Sequence, residues 1–286
     1  MAARFLAVGE FMLDVGVSSV EPGSTVHAPI RVRAGGSPAT AALWAAGEGV
    51  ASAAVGRVGD DAAGAAVRAA LRKAGVEPRL AIDADLPTGT FLETHVGGKR
   101  SIVADRGANA RFAPADVGEV EADAVLVSGY VLLADGTAEA GREALARARA
   151  TWVAVDAASH RLVGTVGADN TLTRASGANA LLANEEEAVA LTGGTAEAAV
   201  DVLARSFRLV CVKLGPAGAV AALDGVLERR SPARTAAGSS AGAGDAFAGV
   251  LLAGLALGRP LGVSLERACA AGARAAAGDG APAPAV

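Results

Sequence analysis

The sequence predicts an α/β fold, a three-layer α/β/α sandwich around a mostly parallel central sheet with a small β-sheet lid. Three observations predict it. Short apolar runs alternate with longer Ala-rich stretches of helical character, the pattern of a parallel sheet covered on both faces. The runs are apolar at successive positions, as strands buried on both sides require. Two segments break the rhythm with alternating character and turn signals, as half-buried strands do.

Taken in order, Phe5–Val8, Ala124–Val127, Trp152–Val155, Ala180–Leu182 and Leu209–Val212 read as the buried strands, each bounded by Gly, Asp or Asn. Between them Pro38–Gly47, Asp61–Ala74, Thr137–Ala150, Glu185–Leu191, Thr195–Arg205, Asp245–Leu257 and Ser264–Ala277 read as helices. The first irregular segment, Val15–Val32, carries a Glu21-Pro-Gly turn. The second, Thr88–Asp105, has Gly97-Gly98 between two alternating runs, a hairpin signal. Together they predict a small antiparallel sheet over residues 15–33 and 88–105. The body then comprises 1–14, 34–87 and 106–286. Both insertions leave the body near strand ends, where ligands of α/β proteins bind.

Composition narrows the function. The chain has 286 residues and a formal charge of 26 − 30 = −4, with no basic stripe, so a nucleic-acid partner is not expected. Hydrophobic residues make up 52% and aromatics 3%, so the core is built from Val, Leu and Ala, and base-stacking platforms are scarce. The longest uncharged stretch, Ala246–Gly258, is 13 residues, short of the roughly 20 that span a membrane. Cys211 and Cys269 read as small core residues of a protein from a reducing cytoplasm. His27, His95 and His160 have no metal-ligand spacing.

One segment carries chemistry. Gly238-Ser-Ser-Ala-Gly-Ala-Gly-Asp245 runs directly into an apolar helix. Free N–H groups and the positive end of the helix dipole converge at Gly242, Ala243 and Gly244, a setting that binds phosphate oxygens. Asp245 is either the helix N-cap or a base for a hydroxyl that attacks a phosphoryl group. The P-loop pattern is absent. The dinucleotide pattern fails because Phe247 occupies its last Gly position.

Ala241-Gly-Ala-Gly-Asp-Ala-Phe-Ala-Gly249 resembles the C-terminal signature of the ribokinase-like (PfkB) carbohydrate kinases. Six further segments resemble that family in order: Gly9-Glu-x-x-x-Asp14, Ala34-Gly-Gly-Ser-Pro-Ala-Thr40, Val55-Gly-Arg-Val-Gly-Asp-Asp-x-x-Gly64, Arg106-Gly-Ala-Asn109, Asn184-Glu-Glu-Glu187 and Val212-Lys-Leu-Gly-Pro-Ala-Gly218. The resemblance implies a ribokinase-like fold and an ATP- and magnesium-dependent kinase acting on a small sugar or sugar acid. It implies Asp245 as general base, with the amides of Gly242, Ala243 and Gly244 as an anion hole. Asp14, Gly35, Gly36, Thr40, Arg106 and Asn109 would meet the acceptor. Lys213, Gly215, Gly218 and Asn184, with Gly242 and Gly244, would lie by the nucleotide. Asn184 and Glu187 would order magnesium through water, or simply start a helix as N-cap and first-turn acid.

Two positions depart from the family. Ser239 stands where Asp is usual, which puts monovalent-cation (K+) activation in question. Thr40 stands where Asn is usual, which bears on acceptor preference. A nucleoside acceptor needs an aromatic wall, for which the lid offers Phe91. A non-catalytic nucleotide- or sugar-binding protein is the remaining alternative. Family lids often pair into homodimers.

Overall fold

A computed structural model describes residues 4–17, 23–25, 27–96, 99–231 and 242–278. The elements in chain order are β1 (Arg4–Val8), β2 (Met12–Val17), β3 (Ile30–Gly35), α1 (Ser37–Gly47), β4 (Ala51–Gly59), α2 (Ala62–Lys73), β5 (Val76–Asp83), β6 (Gly89–Val96) and β7 (Lys99–Asp105). There follow β8 (Ala124–Ser128), α3 (Gly129–Leu133), α4 (Ala138–Arg147), β9 (Trp152–Asp156), α5 (His160–Val166), α6 (Ala168–Arg174), β10 (Ala180–Asn184), α7 (Glu185–Thr192) and α8 (Ala196–Leu203). The last are β11 (Leu209–Lys213), β12 (Ala219–Leu223), β13 (Val226–Arg230), α9 (Ala243–Ala256) and α10 (Leu261–Ala276).

Nine strands form the central sheet in the order β13-β12-β11-β10-β9-β8-β1-β4-β5. It is parallel from β5 to β11, and β12 and β13 add antiparallel to one edge. Strand β1 shows why its residues are continuously apolar. Phe5 and Ala7 enter one core with α1, α9 and α10, while Leu6 and Val8 enter the other with α3, α4, α7 and α8. Alternate side chains of a strand point to opposite faces, so a sheet covered twice needs apolar residues at every position. Cys211 and Cys269 are free and buried, as expected of core residues.

The second sheet has four strands in the order β3-β2-β6-β7. It is mixed, which corrects the antiparallel expectation: β2 pairs parallel with β6, inside two antiparallel hairpins. The reason is topological. β2 and β6 each continue from a body strand, β1 and β5, that runs in the same direction, so the two insertions leave side by side. The strands of the first insertion begin earlier and end later than residues 15–33, so Asp14 on β2 and Gly35 on β3 belong to this sheet.

Candidate active site

The carboxyl ends of the parallel strands meet along one edge, and the loops there carry the polar residues. Ser128, Asp156, Asn184 and Lys213 are the last residues of β8, β9, β10 and β11. Gly9 and Glu10 follow β1 at the same end, with Val8 in register with Val127. Packing is close enough here to exclude side chains. A methyl on Gly36, at φ 94, would overlap the carbonyl oxygen of Glu10.

Helix α9 starts at this edge. Gly242 is its N-cap in a left-handed conformation (φ 75), which a residue without Cβ adopts at least cost. Asp245 lies in the first turn, and the N-cap position belongs to Gly242 instead. Its carboxylate accepts a hydrogen bond from Ser37. Burial, together with the nearby charge of Asp156, pushes its pKa up to about 6, against the pull of Lys213 and Ser37.

Lys213 is held from below. Its ammonium donates to Asp156 at 2.7 Å, with the two side chains 12% and 11% exposed. A Cβ on Gly244 would stand 3.5 Å from the Lys213 Nζ, so this cation lies directly against the glycine turn. Burial alone would lower the Lys213 pKa, but Asp156, Glu187 and Asp245 outweigh it and raise the value. Thr40 on α1 faces the same turn, its Cγ2 3.5 Å from a Cβ on Gly242.

Asn184 and Glu187 form a reciprocal capping box on α7. The Asn184 side chain accepts from the Glu187 N–H at 2.8 Å, and the Glu187 carboxylate accepts from the Asn184 N–H and Nδ2, each at 2.8 Å. Burial, with Asp156 and Asp245 nearby, pushes Glu187 up to about 7, against Lys213 and the Asn184 N–H. The helix-start reading of this pair is therefore seen in full. Among the described residues no three His, Cys, Asp or Glu side chains gather to hold a bare metal ion.

The other end of the edge faces the lid. Asp14 is 1% exposed; its Oδ2 pairs with Arg33 Nε, and its Oδ1 is buried without a hydrogen-bond partner. A Cβ on Gly35 would stand 2.8 Å from the Asp14 Cβ and 2.9 Å from Phe91 Cε1, so this glycine leaves room where acid and ring converge. Two residues later Ser37 reaches Asp245. Asp14 and Asp245 are thus joined through one short stretch of chain.

Some expected site residues are used by the fold. Asn109 accepts from Phe11 N–H at 2.9 Å, and its amide donates to the carbonyls of Phe11 and Arg106, each at 3.0 Å. Both of its donors are thus committed to the backbone. Arg106 donates to Glu10 at 2.6 Å and to Thr137 at 3.3 Å. Gly215 and Gly218 shape the turn between β11 and β12, and a methyl on Gly218 would overlap the Arg230 carbonyl. Ser239 lies outside the described residues, as do 232–241 generally.

Three residues were not singled out by sequence: Asp156, Ser37 and Tyr130. Tyr130, two residues past β8, is the chain's one tyrosine. Burial and the carboxylates of Asp245, Glu187, Glu10 and Asp156 push its phenol up to about 12, which places it among the acids of the site. Its signal was the lone aromatic next to a strand-ending Ser128-Gly129.

A parallel sheet with a mixed β lid, and a glycine turn opening a helix beside an acid, defines the class of ribokinase-like kinases, phosphotransferases that use an alcohol group as acceptor. The family model described as pfkB family carbohydrate kinase matches residues 2–285, and the chain belongs to that family. No curated protein sequence matches it. Among solved structures, a protein described as ribokinase II from E. coli in its apo form superposes with a TM-score of 0.87 at 20% identity, covering 99% of this chain and 96% of that one. The adenosine kinase of Sinorhizobium meliloti gives 0.85 at 22%, covering 100% and 97%. A fructokinase with bound ATP from Xylella fastidiosa gives 0.82 at 21%, covering 98% and 94%.

Proposed function

We propose that this protein transfers the γ-phosphoryl group of ATP to a hydroxymethyl group of a small sugar or sugar acid, of the ribose, fructose or 2-keto-3-deoxygluconate type. The observation that carries the reading is the placement of Asp245: a desolvated carboxylate in the first turn of α9, directly after the glycine turn, with Lys213 beneath. In the reaction the acceptor hydroxyl gives its proton to Asp245 as its oxygen bonds to the γ-phosphorus. The bond from phosphorus to the bridging oxygen breaks, and ADP leaves with that electron pair. The amides of Gly242, Ala243 and Gly244 are donors for charge developing on the phosphoryl oxygens. Lys213 adds a fixed positive charge there.

A magnesium ion fits the chemistry of the donor set. Glu187, Asp156 and Asp245 put three carboxylates against one ammonium, an excess of negative charge that favours a cation. Magnesium keeps much of its water and is bound through one or two carboxylates, so Asn184 and Glu187 would hold it through water. When bound, it would neutralise phosphate charge. Neighbours in complex with ATP and Mg2+ or with ATP support both assignments.

The acceptor would meet Asp14, Gly35 and Gly36, with Thr40 between acceptor and nucleotide. Arg106 and Asn109 act here by holding the Glu10 loop. Phe91 beside Asp14 keeps a nucleoside acceptor as the second reading, in line with the adenosine kinase neighbour. One row of the lid, Val32, Val15, Leu92 and Val103 in register across four strands, is apolar and largely exposed, which supports a homodimer through the lid. Among the described residues no helix is long and apolar enough to cross a membrane, and the two free buried thiols suit a cytoplasmic protein. A coupled ADP-release assay with ATP, Mg2+ and a panel of aldoses, ketoses, sugar acids and nucleosides tests the reading. Turnover of a sugar or sugar acid that vanishes in Asp245→Asn supports it, and ATP binding with no transfer to any acceptor overturns it.

A further inference from the structure

The lid carries a cation set up in an unusual way. Asp14 is buried and uses one oxygen to hold Arg33 by its Nε, while its other oxygen has no hydrogen-bond partner. The Arg33 side chain is 42% exposed. Its two terminal amino groups have no protein partner among the described residues. An arginine pinned by Nε and open at both amino groups presents the planar fork that matches a carboxylate.

Its position is fixed by register. Arg33 pairs across β2 with Asp14, and Asp14 pairs with Phe91, so all three side chains share one face of the lid. That face continues to Gly35, against which Asp14 and Phe91 converge, and then to Ser37 on Asp245. Arg33 and Gly35 are two residue steps apart on β3, about 7 Å at the usual rise. An acceptor with its hydroxymethyl end toward Asp245 and a hydroxyl on the free oxygen of Asp14 would have its far end on the Arg33 side of Asp14.

The other arginines near this face are turned to acids of the protein. Arg106 is bound to Glu10. Arg31 lies across Gly16, its Nη2 2.5 Å from where a Cβ would stand, and reaches within 3.9 Å of buried Glu93. Among the described residues Arg33 therefore stands as the open cation beside a carboxylate, which suits a singly charged group better than a phosphate dianion.

We propose that Arg33, oriented by Asp14, is a subsite for the carboxylate of a sugar acid, and that the acceptor of this kinase is an onic or keto-onic acid rather than its neutral sugar counterpart. The inference rests on the kinase reading for the place of the hydroxymethyl end.

The test is calorimetric binding to the full-length chain, without nucleotide, of five- and six-carbon sugar acids, their neutral aldoses and ketoses, and a sugar phosphate. Wild type should bind an acid about tenfold to a hundredfold more tightly than its neutral twin, as a charged hydrogen-bonding pair supplies. In Arg33→Gln that ratio should fall toward one. Equal binding of acid and neutral sugar by wild type, an unchanged ratio in the variant, tighter binding of the sugar phosphate, or no binding of any acid each overturns the proposal. The wild-type comparison stands even if the variant folds poorly. Turnover with ATP and Mg2+ separates the two readings. An acid preference in binding with no phosphoryl transfer overturns the kinase reading alone, and transfer to neutral sugars with no acid preference overturns the subsite alone.

Discussion

Asp245→Asn should make the protein more stable while removing its chemistry. Raising this carboxyl from its ordinary 3.8 to about 6 corresponds to roughly 3 kcal/mol against the ionised form, at about 1.4 kcal/mol per pKa unit. The sign follows from proton linkage. The folded protein holds this proton more tightly than the unfolded chain, so stability from this group falls as pH rises from about 4 to about 6 and stays lost above. Asparagine carries no charge, still accepts from Ser37, and leaves Lys213 its partners Asp156 and Glu187. At pH 8 the variant should therefore gain roughly 2–3 kcal/mol, or a Tm rise of about 5 °C for a chain of this size. At pH 3, below both the unfolded and the folded pKa, the carboxyl is protonated in both states and the two melting curves should coincide. Differential scanning calorimetry at both pH values reads the difference, and a coupled assay should show kcat down by about 10²–10⁴. A variant no more stable at pH 8, or one whose stability difference does not change with pH, would refute the claim that desolvation sets the state of this base.

Three other perturbations follow from the same geometry. Asp156→Asn and Lys213→Met should move the acidic limb of the kcat profile in opposite directions. Asp156 raises the pKa of Asp245 and Lys213 lowers it, so the first variant shifts the limb below about 6 and the second above it; shifts of the same sign contradict the arrangement. Gly36→Ala places a methyl on the Glu10 carbonyl at positive φ and should cost on the order of 3 kcal/mol or more in urea unfolding. Loss of under about 1 kcal/mol would mean that the Gly36 turn is not as tight as described. Ala158 holds φ 65, and Ala158→Gly should stabilise by roughly 1 kcal/mol, seen as a higher urea midpoint with an unchanged slope.

The legible parts of this fold are those where local chemistry and tertiary role agree. Phe5–Val8, Trp152–Val155 and Leu209–Val212 are runs of apolar residues, and a doubly covered sheet has no other use for them. Strands β4 and β5 were not legible for the opposite reason. Ala51–Gly59 is rich in Ala and Gly, which carry little strand signal, and Val76–Asp83 contains Pro78 and alternating charge because it is an edge strand. The β12–β13 hairpin, also absent from the expected strands, turns through Asp224-Gly225, both at positive φ, a tight two-residue turn. In the site, the glycine turn and Asp245 are readable because they lie within eight consecutive residues. Asp156 is not, because its meaning depends on Lys213, 57 positions later and two strands away. The orientation of β2 against β6 was misjudged for a similar reason: hairpin signals specify pairing within each insertion and say nothing about how two insertions meet.

The placement of Gly35, Gly36 and Ser37 explains why lid and base share so short a piece of chain. Gly35 ends lid strand β3 and makes room for Asp14 and Phe91; Gly36 crosses the Glu10 carbonyl with no clearance for a side chain; Ser37 begins α1 and holds Asp245. Helix α1 is buried against α9 in the main core, so its start cannot shift freely. The lid strand by contrast leaves its outer residues Ile30 and Val32 exposed. On the proposed kinase reading, an acceptor at Asp14 would sit on the lid side of a junction whose other side carries Asp245. Two peptide units separate Gly35, beside Asp14, from Ser37, on Asp245. On the proposed reading, selection of the acceptor and orientation of Asp245 would then be one structural event, the arrangement expected where a hydroxyl other than that of water must be the one deprotonated.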